Sequence, residues 1–262
     1  MITPYVETHG NEALPSLLLV HGFLSSRAQW RANLDGLSRF CRPVIMELWG
    51  HGRSPTPEEP EPYRVHSYIE AFEQIRRELG VKRWWLCGQS FGAGLTLRYA
   101  LTHPESIKGQ IFTNSISGLS APRGSDAQRE TSAKAIEQGG AAAIEAFPFH
   151  PRHAERLAPE VKDEMLADAR LITPKAVANA IRYTVPELSA IEDISRTRIP
   201  TLLVNGIWDK GFQPLRRLAS ERFPAMRVAD LEGGHAINAE LPERFNEEVR
   251  RFMVSVTGER GA

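Results

Sequence analysis

The stretch GQSFG, residues 88–92, sets one serine between two glycines. It stands where the apolar run Trp84-Trp85-Leu86-Cys87 gives way to the small-residue helical pattern AGLTLRYAL. A tight strand-to-helix turn forces its central residue into strained backbone angles. It also brings neighbouring chain so close that flanking positions have no room for a β-carbon. Gly88 and Gly92 meet that demand, and Ser90 is left exposed at a helix N-terminus. There, backbone N–H groups and the helix dipole favour negative charge. Such a turn aims a nucleophile at a developing oxyanion.

Serine needs a base to act as a nucleophile. Near the C-terminus, LEGGHAINAELPERF places His235 after a strand pattern and two glycines. Earlier, LLVNGIWDKGFQP places Asp209 just beyond another strand pattern. The order is Ser, Asp, His, and each follows a different strand, so all three belong on one edge of a parallel sheet. His235 is expected to take and return the Ser90 proton, and Asp209 to hold the imidazole tautomer. Two backbone N–H donors complete the expectation. One is that of Phe91, directly after the serine, and the other that of Phe23 in the loop after LLLV.

The rest of the chain supports such a sheet. Strand patterns fall at 17–20, 42–48, 82–87, 109–113, 201–205 and 226–231, with amphipathic stretches such as VHSYIEAFEQIRREL and PERFNEEVRRFMVSV between them. Strands alternating with helices of this length imply parallel pairing by right-handed crossovers and helices on both faces. A hairpin at Gly10-Asn11 is a further expectation. From 115 to 196 the alternation stops and helix-forming segments take over, with Thr173-Pro174 as an N-cap and first-turn proline. The expected organisation is a core of 1–114 and 197–262 with a helical insertion at 115–196.

Bulk properties exclude several classes. The 262 residues carry 32 Lys plus Arg against 32 Asp plus Glu, which leaves no footprint for nucleic acid or an anionic membrane. No apolar run approaches the length of a membrane span. The first residues, MITPYVETHGNEALPS, lack the pattern of a signal peptide, so a cytoplasmic location is expected. Cys41 and Cys87 read as buried free thiols. His150 and His153 are the one close histidine pair, too few for a zinc site, so no metal is expected.

Five segments in order, LLLVHGF, ELWGHGRS, GQSFGAG, LLVNGIWDKGFQP and EGGHAINAELPERF, resemble the α/β-hydrolase superfamily. The resemblance implies an eight-stranded, mostly parallel sheet, with the 115–196 insertion as a helical cap after the sixth strand. Within the superfamily, HGFLSSRAQW resembles enol-lactone hydrolases and the menaquinone-pathway cyclohexadiene carboxylate synthases. Glu47 stands where many relatives have Asp, at a generally structural position. His51 and His21 read as loop supports. Serine at position 90 argues against the relatives that use an aspartate nucleophile.

The resemblance implies no metal and no organic cofactor, and a small-molecule substrate for a monomer or homodimer. Phe147, Phe149, Tyr183 and Trp208 are the expected pocket residues, and Arg152 and Arg182 are candidates to pair with a substrate carboxylate. The expected activity is hydrolysis of an ester, thioester or lactone through an acyl-enzyme on Ser90. The alternatives are a lyase or carbon–carbon bond hydrolase using the same triad on a carboxylated substrate, and a ligand-binding receptor with little turnover.

Overall fold

The computed structural model describes residues 3–122 and 124–258. Seven strands form one sheet: β1 Val6–Thr8, β2 Ser16–Val20, β3 Arg42–Met46, β4 Trp84–Gly88, β5 Ile107–Thr113, β6 Thr201–Gly206 and β7 Met226–Leu231. Their spatial order is β1-β3-β2-β4-β5-β6-β7. Only β1 runs antiparallel, against β3. The chain goes from β2 outward to β3, then crosses back to β4 on the other side. That reversal opens a crevice beyond the carboxyl ends of β2 and β4, the place where open parallel sheets bind ligands.

Among the described residues, ten α-helices accompany the sheet: α1 Leu34–Leu37, α2 Val65–Glu78, α3 Phe91–Thr102, α4 Ile116–Leu119, α5 Asp126–Glu145, α6 Pro159–Ala169, α7 Pro174–Asn179, α8 Gln213–Arg222, α9 Ile237–Glu240 and α10 Pro242–Gly258. None of the described helices is long and apolar enough to cross a membrane.

Two expectations about strands need correction. The described residues form seven strands, not eight, so the cap follows the fifth strand rather than the sixth. The segment ahead of β2 contributes a single short strand. There is also no hairpin at Gly10-Asn11. Gly10 does take a left-handed φ of 75°, but the chain it turns leads from the sheet edge toward its centre. Val6 therefore lies opposite Met46 of β3 and not opposite β2.

Alternation along the central strands builds two cores, because successive side chains leave opposite faces of the sheet. Leu18 and Val20 join Leu86, Phe72, Leu95 and Tyr99 beneath α2 and α3. Leu17 and Leu19 join Trp85, Trp30, Phe245 and Phe252 beneath α10. Cys41 and Cys87 are buried and unpaired, as expected.

The helical cap has a small core of its own. Ile136 and Ile144 of α5, Ile172 and Val177 close around Leu24 of the loop after β2. α5 runs on through a break at Gly140, where φ is 61° and ψ −144°. Its start carries a reciprocal cap, with Gln128 N–H donating to Ser125 Oγ and Ser125 N–H to Gln128 Oε1. Thr173 caps α7 with Pro174 at its first position, as the sequence implied. Polar ties join α6 to the core: Asp168 accepts from Ser26 Oγ at 2.8 Å and pairs with Arg53.

Phe112 of β5 is fully buried and packs with Ala93, Leu203 and Phe223. Phe112→Ala should cost about 3–5 kcal/mol of stability, read as a lower urea midpoint with an unchanged slope.

Candidate active site

The turn at Ser90 is as tight as its glycines imply. Ser90 has φ 50° and ψ −109°, and it precedes α3 directly. A β-carbon at Gly92 would stand 2.4 Å from Val20 O and 2.5 Å from His21 O. One at Gly88 would stand 2.5 Å from Ala93 Cα. Neither fits, since the obstacles are backbone. The Ser90 carbonyl is tied down by Ser115 Oγ–H at 2.6 Å and by Ala93 N–H at 3.1 Å.

Ser90 and His235 line one cavity of about 540 Å³ between the sheet edge and the cap. Asp209 holds the imidazole: Nδ1–H of His235 donates to Asp209 Oδ2 at 2.8 Å. A carboxylate can only accept, so Nδ1 carries the proton and Nε2 is free to accept one. No direct Ser90–His235 hydrogen bond occurs among the described residues; such contacts commonly tighten only around substrate. Burial works against the Asp209 charge, but hydrogen bonds from His235 and Asn114 outweigh it and hold the carboxyl below its ordinary range.

Of the expected oxyanion donors, Phe91 N–H is the first of α3 and has no partner within the helix. The Phe23 N–H enters no hydrogen bond among the described residues either. Both residues line the cavity. His21 supports this loop: Leu48 N–H donates to its Nε2 at 3.0 Å, and its Nδ1–H donates to Gly22 O at 2.8 Å. Burial, with the neighbouring His51, pushes the His21 pKa down to about 3. Burial likewise takes His51 down to about 4, and its ring faces His21 and Phe23. Both rings are neutral structural parts. Glu47 is structural too, accepting backbone N–H groups from Arg53 at 2.6 Å and Arg27 at 3.1 Å.

The pocket expectations divide. Phe147 and Phe149 line the cavity with Phe23 and Phe91, in a cluster with ring centroids 5.1–6.4 Å apart. Trp208 does not line it: its side chain is half exposed, beneath the Arg156 guanidinium. Asp209 turns inward to His235, and its neighbour in this turn points out. Tyr183 also lies elsewhere, on a separate polar cavity of about 440 Å³ with Arg64 over its ring. It belongs to the π-helical turn Ala180–Thr184, which gives Ile181 to the active-site cavity, as the next residue Val185 is given, and leaves Tyr183 outside.

The arginines are also committed elsewhere. Arg182 is paired with Glu130 and Glu137, and Arg152 with Glu145. Among the described residues, no group of three or more His, Cys, Asp or Glu side chains is placed to hold a metal ion.

Several supporting residues escaped the sequence reading. Asn114 donates Nδ2–H to Asp209 Oδ2 at 3.1 Å and to Gly206 O at 3.0 Å. Gln89 donates Nε2–H to His235 O at 3.2 Å. Asn114 stands immediately after β5, so the rule that picks out residues at strand ends would have found it. Gln89 carries no such signal beyond its place beside Ser90.

A family model described as an alpha/beta hydrolase fold matches residues 15–242. The chain belongs to the α/β-hydrolase fold family. A Bacillus subtilis (strain 168) relative, provisionally named 2-succinyl-6-hydroxy-2,4-cyclohexadiene-1-carboxylate synthase, is 24% identical over 96% of this chain and 94% of its own length. A hydrolase from Pseudomonas aeruginosa PA01 superposes with a TM-score of 0.81 at 25% identity, covering 95% of this chain and 93% of that one. The enol-lactonase from Burkholderia xenovorans LB400 superposes with a TM-score of 0.77, covering 95% and 96%. At 17% identity that last likeness is one of α/β-hydrolase fold alone.

The lowered Asp209 pKa has a thermodynamic consequence. A depressed folded-state pKa contributes stability that is present above the unfolded value and lost as pH falls through the folded one. Urea melts at pH 5 and pH 3 should therefore show a larger loss for wild type than for Asp209→Asn, which has no carboxyl there to titrate. Equal losses would mean that the hydrogen bonds to the Asp209 carboxylate contribute nothing.

Proposed function

We propose that the protein is a serine hydrolase that cleaves a small, uncharged carboxylic ester, thioester or lactone through an acyl-enzyme on Ser90. One observation carries the choice of substrate: among the described residues, the cavity holding Ser90 and His235 is lined by no Lys, Arg, Asp or Glu. Its walls are mostly apolar, with the four phenylalanines, Ile181 and Met165, plus a few serine and glutamine side chains. A substrate carboxylate buried there would find no counter-charge among the described residues, which is costly. The two arginines that might have supplied one are engaged with glutamates. The reading on a carboxylated substrate loses the two arginines on which it was argued.

In the proposed reaction, Ser90 Oγ attacks the carbonyl carbon while His235 Nε2 takes its proton. The oxyanion is met by the N–H groups of Phe91 and Phe23. The bond from carbon to the leaving oxygen or sulfur then breaks, and His235 returns the proton to the leaving group. Water repeats the sequence on the acyl-enzyme and frees the acid. Asp209 keeps the imidazole in the accepting tautomer and stabilises its cation. Residues 115–196 act as the cap that shapes the acyl pocket over a core of 1–114 and 197–262.

Hydrolysis of p-nitrophenyl esters from acetate to octanoate, by wild type and Ser90→Ala, tests the proposal. The expected result is turnover by wild type and a loss of roughly three to six orders of magnitude in the variant, with its thermal stability kept. Equal rates in both proteins would remove Ser90 from the chemistry. No turnover in either would instead direct attention to proton abstraction by His235.

A further inference from the structure

The Phe23 N–H can serve as an oxyanion donor only if its peptide plane is fixed before substrate arrives. Two peptides lead to it. The one between Gly22 and Phe23 is held by His21 Nδ1–H on Gly22 O, at 2.8 Å. In a trans peptide this sets the direction of the Phe23 N–H. The preceding peptide is held by Gln29, whose Oε1 accepts the Gly22 N–H at 3.0 Å. Gln29 is 2% exposed and borders the cavity. With Gly22 N–H occupied, the Phe23 N–H is the first along this loop that stays available.

Gln29 does not stand alone. Its Nε2–H reaches Asn238 Oδ1 at 3.4 Å, and Asn238 Nδ2–H donates to Gln29 O at 3.0 Å. Asn33 donates to Asn238 O at 3.0 Å and to Asn246 Oδ1 at 3.1 Å, and Asn246 donates back to Asn33 O at 3.1 Å. All four carboxamides are buried. They span the 3-10 helix Arg27–Asn33, α9 and α10. Asn238 is three residues beyond His235. The cluster thus joins the loop of the donor to the loop of the base, behind the cavity wall. Buried amides so fully matched are expensive to disturb singly, because each loss leaves another polar group unpaired.

We infer that Gln29 is a positioning residue, which with the carboxamides behind it aligns the Phe23 N–H against the loop carrying His235. The inference rests on the proposed role of Ser90. Gln29→Met keeps the length of the side chain and removes the acceptor. Its kcat on a p-nitrophenyl ester should fall on the order of 10- to 100-fold, with KM within about threefold of wild type. Labelling of Ser90 by a fluorophosphonate should slow in parallel, since its phosphoryl oxygen uses the same donors. Met253→Ala, in the core under α10, serves as a stability control with wild-type kcat.

Gln29→Glu gives an independent readout. Its neutral carboxyl copies the amide, with C=O accepting from Gly22 and O–H facing Asn238, whereas its anion opposes the oxyanion. The ratio of its kcat to that of wild type should therefore rise as pH falls. A Gln29→Met protein with wild-type kcat would overturn the inference, as would a Gln29→Glu ratio independent of pH if Gln29→Met does not fold. Wild type that neither turns over esters nor takes the label sinks the Ser90 reading and this inference with it. A labelled wild type with an unaffected Gln29→Met sinks this inference alone.

Discussion

The site depends on a close approach between two stretches of backbone. The first turn of α3 lies so near the end of β2 that Gly92 has the Val20 and His21 carbonyls where a side chain would begin. That contact needs glycine, and it forces the strand β4 to reverse within a single residue. Ser90 takes the strain, with φ at 50°. The same contact sets the loop after β2 beside the start of α3, so the Phe23 and Phe91 N–H groups border one cavity as the serine does. The proposed nucleophile and oxyanion donors are placed by one packing event, and the histidine and aspartate loops are brought in by the parallel order of β6 and β7.

Much of this could be read in the sequence because it depends on backbone and periodicity. A strand buried on both faces must be a short apolar run, and all six parallel strands lie within two residues of such runs. A turn without room for β-carbons must show glycines, and Gly88 and Gly92 stand there. The N-cap at Thr173 follows from a local hydrogen bond to Ala176 N–H at 3.3 Å. Side-chain direction is different. Trp208 adjoins the acid in sequence but points to solvent, and Tyr183 is turned away by a π-helical turn that no residue pattern announced. The strand β1 was misread because its partner is β3, a matter of long-range pairing and not of the turn at Gly10. Amides such as Gln29 and Gln89 act through partners far away in the chain, and nothing local marks them.

Charge in the site is placed with economy. His21 and His51 are buried deeply enough to stay neutral, and each spends its Nδ1–H on a backbone carbonyl. His235 is different: its side chain is 41% exposed, and its partner Asp209 only 14%. The ring that must gain and lose a proton can therefore be reached from the cavity, while the carboxylate that steadies it is shielded. Asn114 donates to that carboxylate without bringing a charge of its own. An imidazolium forming at His235 would meet the Asp209 carboxylate, and that anion favours it.

The cap takes part in this geometry as more than a cover. Among the described residues, the only non-glycine positions with positive φ are Ser90 and Leu24. They lie on the two loops that hold the proposed oxyanion donors. Such a conformation costs on the order of 1–3 kcal/mol and persists only where packing dictates it. At Ser90 the sheet dictates it. At Leu24 the cap does, since the fully buried leucine is enclosed by Ile136, Ile144, Ile172 and Val177. Lifting the cap as a rigid lid would strip that leucine of its neighbours and release the strain beside Phe23. Access to the cavity is better provided at its rim, where Phe149 is half exposed, than by movement of α5 and α7 away from the loop they hold.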